Sequence, residues 1–113
     1  MIGFSYPPPY LEFIRLFNQQ HFFEAHEVLE SLWRQDQTPS RDFYHGLIQV
    51  AASFVHHTRG NPEGAARLFE SASRYLKPYL PFYLGVDLQE LAAATQQALF
   101  GRGKFPKLYL KQV

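Results

Sequence analysis

Seven residues, Glu24 to Glu30, carry three carboxylates and one imidazole in a segment that otherwise reads as a strong helix. Imidazole nitrogen and carboxylate oxygen suit zinc, iron or manganese, and the same groups transfer protons in catalysis. Buried in a protein, they need a hydrogen-bond partner, a proton or a metal, whereas in water they need none. Three interpretations follow: a metal or catalytic site, a structural pair, or ordinary surface charge.

Helical geometry separates these side chains. Because a helix turns by about 100° per residue, His26 and Glu30 fall beside Trp33 at the edge of the apolar face, with Glu27 on the rim. His26 and Glu30 are four residues apart, so their side chains can meet. We favour a structural hydrogen-bonded pair between them. The alternative pair of Glu30 with Arg34 would contribute about 0.2–0.5 kcal/mol.

A second polar set lies in residues 43–57, which include no Asp, Glu, Lys or Arg. On a helix, His45, Gln49 and His56 share one narrow strip, which is either the solvent side or covered by another helix or subunit. If this helix is antiparallel to the preceding one, the two polar sets face each other, and His26, Glu30 and His56 become candidate metal ligands. The full candidate site is His26, Glu27, Glu30, Trp33, Gln49 and His56. Neither the Glu-x-x-His nor the His-Glu-x-x-His metal motif is present.

Apolar periodicity and capping residues define the elements that position these groups. Ser40, Asn61 and Asp87 are predicted N-caps, and Gly60 a helix end. The pattern predicts an all-α bundle around a central third helix, with helices at about 9–18, 22–35, 40–58, 62–77 and 88–100. We expect a single domain over 1–113, with an extended leader at 1–8, an aromatic loop at 78–86 and a C-terminal arm at 102–113.

Composition narrows the function classes. The formal charge is +1, which gives no overall field that would favour nucleic acid or a membrane surface, and there is no cysteine. The sequence predicts neither a membrane span nor a signal peptide, so a cytoplasmic protein is expected. The arm carries four cations interleaved with apolar residues. We favour packing of those apolar residues on the domain over binding of an anionic partner.

Three motifs resemble the family called domain of unknown function 309. They are Phe23-Glu24-Ala25-His26-Glu27-Val28-Leu29-Glu30-x-x-Trp33, Gly46-Leu47-Ile48-Gln49-x-Ala51-Ala52 and Gly60-Asn61-x-x-Gly64-Ala65. The chain departs from the family pattern at His45, where glutamine is expected. The resemblance implies a small all-helical domain and supplies no activity. It directs attention to His26, Glu27, Glu30, Trp33, Gln49, Gly60 and Asn61.

Three functional hypotheses remain open, and whether the protein is an enzyme is left undecided. The first is a binding or interaction domain, as a possible homo-oligomer with an unknown small-molecule ligand, in which His26 and Glu30 are structural. The second is a metal-binding protein or metal-dependent hydrolase that uses a divalent metal on the second and third helices. The third and weakest is nucleic-acid binding through the arm.

Overall fold

The computed structural model describes residues 6–111, and these form five α-helices as predicted. The helices are α1 (Pro8–Asn18), α2 (Phe22–Gln35), α3 (Arg41–Thr58), α4 (Pro62–Leu76) and α5 (Leu88–Phe100). The predicted all-α fold class is therefore confirmed. Of the predicted leader, residues 1–5 lie outside the described residues, as do residues 112 and 113 of the arm.

The helix starts follow the capping residues, with one correction. The Asn61 side chain accepts a hydrogen bond from the Gly64 backbone N–H at 3.1 Å, and the Asp87 side chain accepts from Glu90 N–H at 2.9 Å. Ser40 occupies the N-cap position of α3 but makes no side-chain cap. Its hydroxyl is instead 2.7 Å from the Tyr83 hydroxyl. A tertiary hydrogen bond has thus replaced the local one that the sequence predicts.

The predicted loop at 78–86 has more structure than expected. A 3₁₀ turn, Lys77–Tyr79, follows α4, and strands β1 (Phe82–Tyr83) and β2 (Val86–Asp87) form a small antiparallel hairpin. Gly85 in the turn has a φ of 81°, a conformation that glycine adopts at little cost. The aromatic side chains of this segment pack on Phe43, which explains why the strands close at this point.

Helix α3 is the central element, as predicted, because α2 and α4 both pack extensively against it. Its apolar face is fully buried at Phe43, Leu47, Ala51 and Phe54. Removing such side chains from water is the main favourable term in folding. This arrangement leaves the polar strip of α3 between α2 on one side and α4 on the other.

The C-terminal arm packs its apolar residues on the helices. The Asn18 side chain donates to the Leu108 carbonyl at 2.8 Å and accepts from the Leu108 N–H at 2.7 Å. Leu108 is buried, and Phe105 contacts the rings of Phe22 and Phe54. No helix among residues 6–111 has the length and apolar content that a bilayer crossing needs.

Candidate functional site

The His26–Glu30 contact is longer than the sequence predicts. His26 Nε2 lies 3.9 Å from Glu30 Oε2, which is an ion-pair distance for a protonated ring but too long for a hydrogen bond. Glu30 instead accepts a 2.9 Å hydrogen bond from Arg34, so the alternative pair is the one with hydrogen-bond geometry. Both side chains are half-buried, and Glu27 is exposed on the rim.

Trp33, His45, Gln49 and Tyr75 pack together where α2, α3 and α4 meet, and we call this set the closed cluster. The first three residues are half-buried, and Tyr75 lies at the exposed rim. The His45 ring lies between two aromatic rings, with its centroid 4.6 Å from that of Trp33 and 4.4 Å from that of Tyr75. The Arg41 guanidinium lies over the Trp33 ring at 4.6 Å from its centroid. The predicted second cover of the α3 strip is therefore supplied, around His45, by α2 and α4 of the same chain.

The closed cluster has polar atoms that its own geometry does not pair. Gln49 Nε2 donates to His45 Nε2 at 3.0 Å, so the His45 proton lies on Nδ1 when the ring is neutral. Within the described residues, His45 Nδ1, Trp33 Nε1 and Gln49 Oε1 are buried without a hydrogen-bond partner. Each such atom costs about 1–3 kcal/mol. Trp33 Nε1 and His45 Nδ1 are donors and Gln49 Oε1 is an acceptor, but none of them makes a hydrogen bond to another.

Burial also decides the charge state of His45. Loss of contact with water lowers the pKa of the imidazole, and the nearby Arg41 charge lowers it further. The carboxylates of Asp42 and Glu30 act in the opposite direction without reversing the shift. This shift favours the neutral form of the ring, as expected for a packing residue.

A second region, the open cleft, lies between α2 and the C-terminal half of α3. It is a surface cleft of about 140 Å³. Its lining residues are Phe23, His26, Ala52, Val55, His56 and Arg59. Among residues 6–111 the Arg59 guanidinium has no ion-pair or hydrogen-bond partner, and its Cζ lies 5.7 Å from the centroid of the Phe23 ring. The cleft therefore combines two imidazoles, a cation and an aromatic wall.

The cap of α4 fixes the proton on His56. Asn61 Oδ1 accepts from the Gly64 N–H, and the nitrogen of the same amide lies 2.9 Å from His56 Nδ1. An amide nitrogen can only donate, so His56 Nδ1 accepts and the proton of the neutral ring is on Nε2. A Cβ at Gly64 would lie 2.9 Å from His56 Nδ1 and 2.5 Å from Asn61 Nδ2. Glycine at that position leaves room for the arrangement.

His26 is fixed in the opposite tautomer. Its Nδ1 lies 3.0 Å from the Phe23 carbonyl, which can only accept, so Nδ1 carries the proton. The Nε2 of the neutral ring is then an acceptor. In the neutral rings, the cleft is therefore lined by an acceptor, His26 Nε2, and a donor, the Nε2–H of His56.

The predicted metal ligands can be compared with the hydrogen bonds that they already make. Within residues 6–111, no three His, Asp or Glu side chains are grouped so that they could hold a metal ion. His26 Nε2 and Glu30 offer lone pairs, whereas in the neutral His56 ring Nε2 carries a proton and Nδ1 accepts from Asn61. Metal binding by His56 would require that hydrogen bond to break.

The structure places four of the six predicted site residues in these two regions. Trp33 and Gln49 belong to the closed cluster, His26 and His56 line the open cleft, Glu30 lies between them, and Glu27 is exposed. Sequence reasoning missed Phe23 and Arg59. Their spacing could have revealed them, because Phe23 precedes His26 by three residues and Arg59 follows His56 by three, which places each pair on one helix face.

The fold and site define a small all-helical domain whose central helix, α3, carries a strip of polar residues. The chain belongs to the family described as domain of unknown function (DUF309), whose profile matches residues 10–68, just over half of the chain. It is 38% identical over 74 residues to the uncharacterized protein YpuF of Bacillus subtilis strain 168, which covers 64% of this chain and 42% of YpuF.

An uncharacterized protein of Aquifex aeolicus strain VF5 is 28% identical over 83 residues, covering 73% of this chain and 25% of that protein. The chain thus spans less than half the length of both relatives. The motifs that indicated the family now have physical roles. Trp33 and Gln49 build the closed cluster, while Asn61 and Gly64 set the tautomer of His56 in the open cleft.

Proposed function

We propose that the protein is a binding module whose ligand site is the open cleft. The observation that carries this proposal is that two imidazoles line one cleft with different free groups. In the neutral rings, His26 Nε2 can accept a hydrogen bond and His56 Nε2 can donate one. Ligand sites combine apolar walls with a few placed polar groups, and Phe23, Val55 and Ala52 supply such walls. In this proposal the closed cluster and the Glu30–Arg34 pair are structural.

The proposal is tested by amide chemical shifts in the presence of four small probes: phosphate, acetate, methylammonium and acetamide. Binding of any of them should move the amide signals of residues 23–26 and 52–59 and leave the rest of the spectrum in place. Uniform small shifts over the whole chain, or none with all four probes, would contradict the proposal.

The metal alternative stays a prediction, with His26, Glu30 and His56 as its candidate ligands. Imidazole nitrogen and carboxylate oxygen are suitable donors, and the side chains of His26 and Glu30 are neighbours. Elemental analysis of protein purified without a histidine tag tests it. Stoichiometric zinc, iron or manganese together with a lower melting temperature after chelation would favour this alternative, and absence of both would remove it.

The homo-oligomer also stays a prediction. Leu80 and Phe100 are exposed large apolar side chains, with 44% and 57% of their surface accessible. Leu80 borders an apolar cleft between α4 and α5, and an exposed patch of this kind can be an interface. Light scattering tests the prediction, since a mass near 13.2 kDa would contradict it.

A further inference from the structure

The charges around the open cleft point to the class of ligand. Of the six lining residues one is a permanent cation, Arg59, and none is a carboxylate. Two carboxylates lie nearby: Glu24 lines an adjoining surface cleft that shares Phe23 and Arg59 with this one, and Glu30 is paired with Arg34 at 2.9 Å. An unpaired guanidinium in such a setting presents several N–H donors to an incoming group.

The remaining donor of His56 lies in the same cleft lining. Its Nε2 proton is fixed there by Asn61, as described above, and no described residue accepts it. Charge-assisted hydrogen bonds to oxygen anions are about twice as strong as neutral ones, which favours an anionic ligand over a neutral one of similar size.

We propose that the open cleft binds a small oxyanion group, a carboxylate or a phosphate, between the Arg59 guanidinium and the Nε2–H of His56. The Phe23 ring holds Arg59 by a cation–π contact and forms the apolar wall. This inference rests on the proposed binding function and specifies the chemistry of its ligand. It also gives the Gly60-Asn61-x-x-Gly64 motif a role beyond helix capping, because Asn61 keeps the proton of neutral His56 on Nε2, where it can be donated to the anion.

The experiment titrates the full chain with acetate and with inorganic phosphate at fixed ionic strength, and follows the amide signals of residues 23–26 and 52–59. Saturable binding is expected, and the two probes distinguish a carboxylate from a phosphate site. Arg59→Gln should weaken binding at least tenfold. Arg67→Gln is the matched control, because Arg67 is an exposed arginine on α4 that does not line the cleft.

A second variant tests the role of His56 without removing the cap. Asn61→Asp keeps an N-cap oxygen for Gly64, but its carboxylate can only accept, so a neutral His56 ring donates from Nδ1 and carries no proton on Nε2. The titration is recorded about two pH units above the ordinary imidazole pKa, and proton–nitrogen correlation spectra verify that the ring is neutral. Anion binding should weaken at least tenfold. The double variant Asn61→Asp with Glu63→Gln restores the net charge of the first turn of α4, so binding that stays weak in it is due to the tautomer of His56 and not to the added charge.

The outcomes separate the inference from the proposed function. Equal binding by the Arg59→Gln and Arg67→Gln variants would overturn the inference, since it would show an adventitious ion only. Binding of methylammonium or acetamide in the cleft without binding of either anion would overturn the inference and leave the binding module in place. Absence of binding by all four probes would overturn both.

Discussion

The closed cluster and the open cleft are both built on helices α2 and α3, but their histidine rings have different surroundings. In the cluster, His45 is packed between two aromatic rings and bonded to a glutamine of its own helix. In the cleft, His26 and His56 each have one nitrogen fixed by a local hydrogen bond and the other unpaired by hydrogen bonds. The difference lies in what surrounds the second nitrogen, and residue type alone does not reveal it.

The two regions are also held in different ways, the closed cluster by packing and the open cleft by hydrogen bonds. The cluster is constrained by volume, because glycine at Gly46 allows α4 to approach α3 near Tyr75 and Leu76. The cleft is constrained by hydrogen-bond direction, because the amide of Asn61 decides where the His56 proton lies. Changes in the cluster should therefore affect stability first, and changes in the cleft should affect proton position and binding first.

The largest effect on stability is expected from Gly46→Ala. The added Cβ would lie 2.6 Å from both Leu76 Cγ and Cδ2 in the buried α3–α4 interface. Overpacking of this kind costs about 1–3 kcal/mol, which urea unfolding measures directly. Ala93→Ser on the exposed side of α5 is a neutral control, within about 0.5 kcal/mol. An unchanged unfolding midpoint for Gly46→Ala would show that the cluster is not limited by volume.

A smaller effect, about 1 kcal/mol, is expected from Asn61→Ala, because the change removes the N-cap of α4. Asn61→Asp should retain nearly all of the stability, since aspartate caps equally well. Thermal unfolding of both variants makes the measurement. If both variants lost the same stability, the amide of Asn61 would have a structural role beyond the cap.

Acidification should weaken the closed cluster through His45. Because burial holds the folded-state pKa below its ordinary value near 6.5, the unfolded chain binds this proton first as the pH falls. The stability that comes from neutral His45 is therefore complete above that value and decreases as the pH falls below it. His45→Gln, the residue that the family pattern predicts, should reduce the dependence, as urea unfolding between about pH 7.5 and 5.5 would show. An identical pH dependence in both proteins would contradict the proposed packing role of His45.

The smallest effect is expected from Glu30→Gln, which lies between the two regions. Its exposed pair with Arg34 should contribute about 0.3–0.5 kcal/mol. Glu27→Gln is the control, since Glu27 is exposed on the same helix. A loss above about 2 kcal/mol, as expected when a buried ion pair is broken, would show that Glu30 has a structural role larger than its contacts indicate.

Much of the fold could be predicted because local signals determine it. The caps at Asn61 and Asp87 and the apolar periodicity placed all five helices to within one or two residues. The hairpin at 82–87 was missed because its strands have two residues each, too few for a period-two pattern. The cap at Ser40 was wrong because its hydroxyl pairs with Tyr83, 43 positions away in the sequence.

The site could be predicted less well than the fold. The helical wheel placed His26 and Glu30 at the edge of the core, but their 3.9 Å separation depends on rotamers that spacing does not determine. The division of Trp33, Gln49, His26 and His56 into two regions depends on where α2 and α4 cross α3. That is a tertiary property, and no local pattern in the sequence encodes it.

We infer that local hydrogen bonds fix the tautomers of the two histidines in the open cleft. The most direct test is to locate the ring protons of His26 and His56. Long-range proton–nitrogen correlation spectra of the histidine rings, recorded about two pH units above the ordinary imidazole pKa, report their positions in each ring. We expect His56 to be protonated on Nε2 and His26 on Nδ1. The same protonated nitrogen in both rings, or His56 protonated on Nδ1, would contradict this expectation.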